Sequence, residues 1–246
     1  MRTLANLRFQ VNVTLHRYGW EIARYPSSES AGYKRQLLLK HLSVQSLIDV
    51  GANEGQFAVE VRQNGYKGKI LSLEPLPDAF TALEAHAASD PCWEVRRTAV
   101  GSSAGTLNFY VAGNSVSSSP LLMLERHRRA APNSATIDEI VVPVDTLNRI
   151  LTEPAQRFES AYLKVDTQGF EKQVLDGACD VLSRIAAVEL EISLYPLYKD
   201  QPLFDEILEY LARRDFRLAG VAPGFWNRQT GETFQFDGIF LRHQAL

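Results

Sequence analysis

Five acids stand where apolar runs end or alternate with polar residues. Asp49 sits in Leu47-Ile48-Asp49-Val50, Glu74 ends Leu73-Glu74-Pro75, and Asp166 ends Leu163-Lys164-Val165-Asp166. Glu189 and Glu191 alternate within Val188-Glu189-Leu190-Glu191. A carboxylate in an apolar strand is costly unless it is paired or put to use. Between the first two acids lies the turn Gly51-Ala52-Asn53-Glu54-Gly55, and a helix pattern opens at once with Gln56-Phe57. A turn of this kind, with an acid closing the next apolar run, suits an adenosine-bearing cofactor. Gly51 and Gly55 let the backbone come close to a ligand. Asp49 can hold the turn or the ligand's charged end, and Glu74 is placed to accept hydrogen bonds from two ribose hydroxyls.

Two cofactor classes share that logic. A nicotinamide dinucleotide wants G-x-G-x-x-G, so that a helix N-terminus faces the pyrophosphate. Here Asn53 replaces the middle glycine, and Glu54 falls where a diphosphate would approach. S-adenosylmethionine has no phosphate and carries a sulfonium cation, so the acidic turn suits it better. Hydride transfer by a nicotinamide-dependent oxidoreductase, and cofactor binding without catalysis, stand as the alternatives.

The later acids offer acid–base chemistry. Strand alternation puts Lys164 and Asp166 on one face and Glu189 and Glu191 on one face. They either form a structural ion pair, with Lys164 a candidate partner, or orient an acceptor hydroxyl and take its proton. Asp166 is the first candidate base, followed by Glu189 and Glu191. Among the histidines only His127, near a serine-rich loop, is a candidate general base. Asp166, Glu189 and Glu191 are hard oxygen ligands that suit magnesium, but no compact ligand motif favours a metal. The run Asn114-Ser115-Val116-Ser117-Ser118-Ser119 could donate to a hydroxyl-rich acceptor through Ser117 and Ser118, or be a flexible loop. Tyr195, Tyr198, Phe225 and Trp226 could stack on a sugar or fill the core.

The elements that must position these groups follow from hydrophobic periodicity. Residues 1–25 read as a helix and residues 25–30 as a linker. A helix at 33–42 leads to strands at 46–50 and 69–74, a helix at 77–88, and a third strand at 94–100. A hairpin arm at 106–111, a loop at 113–119 and a strand at 140–144 come next, with Asp145 capping a short helix to residue 151. A strand at 161–166, a helix from Gly169 through Leu182, a strand at 186–192 and a helix at 202–213 follow. The last two strands, 216–221 and 235–242, have too short a connection for a crossover and must be antiparallel. Strands alternating with helices predict a doubly wound, mostly parallel sheet.

At 246 residues the chain suffices for one large α/β domain, and its 45% hydrophobic and 22% charged residues are ordinary for a globular protein. A net charge of -3 gives no general attraction to nucleic acid. Cys92 and Cys179 have no ligand spacing, which predicts neither a disulfide framework nor zinc and points to the cytoplasm. No apolar run approaches the ~18 residues of a membrane span. In the N-terminal helix Leu4, Leu7, Val11, Leu15 and Ile22 are interrupted by basic residues. Packing on the body of the domain, or on a second copy as a homodimer contact, outweighs a membrane-surface role in this reading.

Taken in order, several segments resemble the FkbM family of S-adenosylmethionine-dependent methyltransferases. They are Ile48-Asp49-Val50-Gly51-Ala52-Asn53-Glu54-Gly55-Gln56-Phe57, Leu73-Glu74-Pro75, Ser117-Ser118-Ser119 and Val144-Asp145-Thr146-Leu147. Leu163-Lys164-Val165-Asp166-Thr167-Gln168-Gly169-Phe170-Glu171, Glu189-Leu190-Glu191 and Gln235-Phe236-Asp237-Gly238-Ile239-Phe240 complete the set. The resemblance spans residues 47–242. It implies a class I methyltransferase (Rossmann-like) sheet of seven strands, the last antiparallel, in a domain of residues 31–246 preceded by residues 1–30. It also implies methyl transfer to oxygen of a sugar, glycolipid or natural-product scaffold. By it, the 49–57 turn, Glu74 and Pro75 hold the cofactor, Thr98 and Ala99 lie near the adenine, and Asp166 and Gln168 stand between cofactor and acceptor. Glu54 and Thr167 depart from the family pattern, and neither identifies the acceptor.

Overall fold

Strand β1 (Ser46–Val50) is buried along its whole length, as expected where helices cover both faces of a parallel sheet. The computed structural model describes residues 2–20, 22, 30–152, 158 and 160–243. Helix α1 (Arg2–Leu15) opens the chain; residues 25–29 of the expected linker lie outside the described residues. Ser30 caps helix α2 (Ala31–His41) by accepting from the Tyr33 backbone N–H. After β1 come α3 (Gln56–Gln63), β2 (Lys69–Leu73), α4 (Pro77–Ala87) and β3 (Trp93–Arg96).

Three further strands, β4 (Ala99–Val100), β5 (Gly105–Ala112) and β6 (Thr136–Asp145), form a second small sheet in the order β4-β6-β5. Helix α5 (Glu125–Ala130) lies within the β5–β6 connection and α6 (Leu147–Ile150) follows β6. The main sheet then resumes with β7 (Ala161–Val165), α7 (Glu171–Asp176), β8 (Ile185–Ser193), α8 (Phe204–Ala212), β9 (Phe216–Pro223) and β10 (Gln235–Arg242).

The main sheet has seven strands in the order β3-β2-β1-β7-β8-β10-β9, and β10 runs antiparallel to both its neighbours. This is the expected mostly parallel sheet with an antiparallel last strand. Chain order turns from β1 toward β2 on one side and resumes at β7 on the other, so the switch point lies between β1 and β7. Alternation supplies a core on each face. Ile48, Leu71, Leu163 and Val188 pack with Val174, Ile207 and Leu211. Leu47, Ile70, Tyr162 and Ala187 pack with Leu39, Ala58, Val61 and Leu83.

Four local expectations are corrected. The strand read at 94–100 is two strands in different sheets, with no Gly or Pro to mark the corner at Arg97-Thr98. The 106–111 arm does pair antiparallel with β6, but across a long connection carrying α5. The cap of α6 is Thr146, which accepts from Arg149 N at 3.2 Å, while Asp145 accepts from Thr146 N at 2.7 Å. The helix expected through Leu182 stops at Asp176, and the next residue, Gly177, passes so close to Gly101 that a Cβ would lie 2.0 Å from its carbonyl oxygen. At the N-terminus, Leu7 and Val11 are exposed, so the expected packing of this helix on the domain is not found for them.

Candidate active site

A cavity of about 310 Å³ opens at the switch point, where ligands bind in sheets of this kind. Its floor is the end of β1 and the turn after it, with Asp49, Gly51 and Asn53 on the wall beside Gln56 and Phe57. Glu74 and Pro75 follow β2, Thr98 and Ala99 precede the small sheet, and Asp166 and Gln168 follow β7. Ser118 closes one side. The expectation brought all of these together.

The turn is made by internal hydrogen bonds. The N–H groups of Gly51 and Ala52 both donate to Leu73 O, at 3.0 and 3.1 Å, and Gly55 N donates to Ala52 O at 2.8 Å. Asn53 adopts φ 48°, tolerable for asparagine, and its N–H donates to Glu74 Oε2 at 2.8 Å. Its side-chain oxygen accepts from Gln56 Nε2 at 3.1 Å and Ser115 Oγ at 3.2 Å. Gly51 has φ 77°, and a Cβ there would lie 1.9 Å from the Asp166 carbonyl. A Cβ on Gly55, at φ 89°, would meet Leu83 and Trp93. Both glycines thus make room for the chain's own packing, and Gly51 also lines the cavity. Glu54 is exposed and off the cavity wall.

Glu74 is buried, and its second oxygen accepts from Leu76 N at 2.8 Å. Each carboxylate oxygen accepts one hydrogen bond from the chain and can accept a second, and Glu74 lines the cavity. Burial pushes Glu74 up to about 7, against the two backbone N–H groups. Burial also lifts Asp49 to about 7, with the Lys164 ammonium opposing. Glu171, buried at the start of α7, is raised to about 7 as well. Its Oε1 accepts from the N–H groups of Thr167 and Gly169, which fixes the turn carrying Gln168.

These groups set a pH dependence. Each acid keeps its proton in the folded chain at pH values where the unfolded chain has lost it, so the folded state binds more protons between about 4 and 7. Stability therefore falls as pH rises through that window. His127 is pushed down to about 4 by burial and acts oppositely between about 4 and 6.5, but it stands against these three acids and against Glu191 and Asp237, both also raised by burial. The thermal midpoint of the ligand-free protein is expected to be lower at pH 7.5 than at pH 5.5 by scanning calorimetry. A midpoint that rises over this interval would contradict the assignment.

Beyond the turn, Lys164 is buried between acids, with Nζ 2.7 Å from Asp237 Oδ1 and 3.7 Å from Asp166 Oδ2. Burial opposes its charge, but Asp166, Asp237 and Glu189 together raise its pKa. The Asp166 side chain is 36% exposed, and Gln168 Nε2 donates to its Oδ1 at 3.0 Å. Gln168, at φ 54°, also donates to Glu191 and accepts from Tyr198 Oη at 2.8 Å.

The remaining sequence candidates lie off the cavity wall. Glu191 accepts from Gln168 and Gln235, and burial, with Asp166 and Glu171 nearby, raises its pKa well above the ordinary value. Glu189 is fully buried and accepts from Arg35 Nε at 2.7 Å and Nη2 at 2.6 Å, so its partner is Arg35 rather than Lys164 alone. Tyr162 Oη also donates to it. Burial works against its charge, but Arg35 and Lys164 hold it below its usual value. His127 packs against Tyr198 and Phe225 at 5.2 and 5.1 Å between ring centroids. Ser117 is buried and accepts through its carbonyl from Tyr198. Tyr195 lies under Arg126, and Trp226 bridges to Thr233, both away from the cavity. Among the described residues no group of three acid, histidine or cysteine side chains could hold a metal ion.

The wall also holds residues that sequence reasoning missed. Leu76, Phe109 and Phe170 supply apolar surface, and Lys164 and Ser115 supply polar contacts. Phe109 belongs to β5, whose place over the site no sequence signal announced.

The Methyltransferase FkbM domain model matches residues 49–218, over two thirds of the chain. No curated protein matches it. Among solved structures, an FkbM methyltransferase from Methylobacillus flagellatus is similar at 14% identity and TM-score 0.47, covering 79% of this chain and 43% of that one. An rRNA methylase from Streptococcus thermophilus is similar at 10% identity and TM-score 0.47, over 88% of this chain and 99% of that one. A protein of the NADB-Rossmann superfamily from Streptococcus agalactiae has 12% identity and TM-score 0.45, over 89% of this chain and 70% of that one. This chain thus spans less than half the length of the Methylobacillus protein. The family match covers the end of β1, the Glu74 strand end and the Asp166 strand end, the three edges of the cavity, and the chain belongs to the FkbM methyltransferase domain family.

Proposed function

We propose that this protein is an S-adenosylmethionine-dependent O-methyltransferase acting on a hydroxyl of a sugar, glycolipid or natural-product scaffold. The observation that carries the reading is the donor and acceptor set of the cavity. Four N–H groups of the glycine turn are already committed to Leu73, Ala52 and Glu74, so they cannot cradle a diphosphate. What the turn presents is a carboxylate with lone pairs to spare, suited to ribose hydroxyls and unsuited to a dinucleotide's phosphates. This fits a phosphate-free adenosine ligand and speaks against hydride transfer from a nicotinamide.

In this reading Glu74 holds the ribose, Pro75, Leu76, Ala99 and Phe109 enclose the base, and Asp49 and Gln56 meet the aminocarboxyl end. The bound cofactor supplies an electrophilic methyl group on a sulfonium. The protein's own work is then positioning and one proton transfer. Asp166 is the acid on the cavity wall with solvent access, while Glu189 is spent on Arg35 and Glu191 lies off the wall, bonded to Gln168 and Gln235. Asp166 takes the acceptor hydroxyl proton, and Lys164 and Gln168 hold its carboxylate in place.

The test uses S-adenosylmethionine labelled in the methyl group and a panel of glycans, glycolipids and polyhydroxylated natural products. The expected product carries the label as an O-methyl ether, identified by its carbon shift in NMR. Label found only on nitrogen or carbon would overturn the assignment to oxygen.

A further inference from the structure

We propose that α1 and the turn that follows it form a docking element for an anionic membrane surface. The element is apolar and exposed. Seven of the fifteen large apolar side chains exposed among the described residues lie between Leu7 and Ile22: Leu7, Phe9, Val11, Val13, Tyr18, Trp20 and Ile22. An exposed cluster of that density marks an interaction surface. The chain holds it in a defined shape. Gly19 turns the backbone at φ 76°, and Asn12, buried on the helix, accepts from Ile22 N at 2.8 Å and donates to Ile22 O at 2.9 Å. That pair of bonds holds Ile22 back against the helix.

Charge selects the partner. Residues 1–22 carry Arg2, Arg8 and Arg17 against one acid, Glu21, in a chain whose net charge is -3. Arg8 and Arg17 are exposed beside the apolar side chains. Basic side chains flanking Phe, Tyr and Trp are suited to the boundary between anionic headgroups and acyl chains. A second copy fits less well. It would bring the exposed Arg8 and Arg17 of the two copies together. At fourteen residues α1 is about 21 Å long, short of the ~30 Å hydrocarbon core, so it lies in the interface without crossing. Of the three acceptor classes proposed above, this geometry selects glycolipid, a step that rests on the methyl-transfer reading; the membrane contact itself does not.

The test is co-sedimentation of the full chain with vesicles of phosphatidylcholine, and with vesicles containing one quarter phosphatidylglycerol. Binding to the anionic vesicles is expected to be about tenfold stronger or more, and to weaken by about tenfold in the Arg8→Glu, Arg17→Glu double variant. A Phe9→Glu, Trp20→Glu variant should also lose binding, with its thermal midpoint unchanged because neither side chain packs in the core. Wild type left in the supernatant with both vesicles overturns the proposal. So does equal binding to both, or a soluble dimer that dissociates in the Phe9→Glu, Trp20→Glu variant without any vesicle binding. No methyl donor is present, so a failure here is separate from a failure of the enzymatic reading.

Discussion

Replacing Asp166 with asparagine is expected to lower the rate of methyl transfer by about 10²- to 10⁴-fold, the usual contribution of a positioned base. S-Adenosylhomocysteine affinity should stay within about threefold, since the turn and Glu74 are untouched. The substitution keeps an oxygen for the Gln168 hydrogen bond, and Lys164 retains Asp237 at 2.7 Å, so the local structure has reason to survive. Single-turnover kinetics on an identified acceptor separate the two quantities. If the rate is unchanged, the base lies elsewhere. Glu191 is a poor substitute because it lies off the cavity wall, bonded to Gln168 and Gln235, and Glu189 is locked to Arg35.

Arg35→Leu is expected to cost about 3–5 kcal/mol of stability, because it strands the buried Glu189 carboxylate without its partner. For a chain of this size that corresponds to a drop of roughly 6–20 °C in the thermal midpoint. Arg35 donates to both Glu189 oxygens, reaches Glu60 at 3.3 Å, and stacks over Phe57 at 4.6 Å from the ring centroid. Phe57 in turn lines the cavity, so the ion pair below the sheet and the site above it share a wall. The double variant Arg35→Leu, Glu189→Leu removes both charges and is expected to recover most of the loss. No recovery in the double variant would mean that Arg35 stabilises through packing on Phe57 instead.

The sheet and the cofactor side of the cavity were legible because they depend on local pattern. β1, β2, β7, β8 and β10 are apolar runs with acids at fixed places, and the 51–55 turn announces the switch point by its glycines. What those glycines do was not legible. Gly51 and Gly55 leave room for Asp166 O and for Trp93, partners distant in sequence, and such approaches appear only once strands are paired. The small β4-β6-β5 sheet was missed for a related reason. Its strands alternate like any hairpin, and nothing local tells Ala99-Val100 to leave the main sheet.

The acids followed the same rule. Alternation put Glu189 and Glu191 on one face, but which was paired depended on Arg35 from α2, 154 residues away. His127 looked available beside a serine-rich loop and is instead enclosed by Tyr198 and Phe225. The exposed apolar side chains of α1 showed in the sequence as an amphipathic pattern, but only the structure separates a packed helix from an unpartnered one.

The central claim is that the cavity takes a phosphate-free adenosine cofactor through Glu74. Isothermal titration of the wild type and of Glu74→Gln with S-adenosylhomocysteine, NADH and NADPH tests it directly. The account predicts saturable binding of S-adenosylhomocysteine alone, weakened by at least about tenfold in Glu74→Gln at pH 8, where the wild-type group is ionised and its charge-assisted hydrogen bonds are lost in the amide. Saturable binding of NADH or NADPH, with none of S-adenosylhomocysteine, would contradict it.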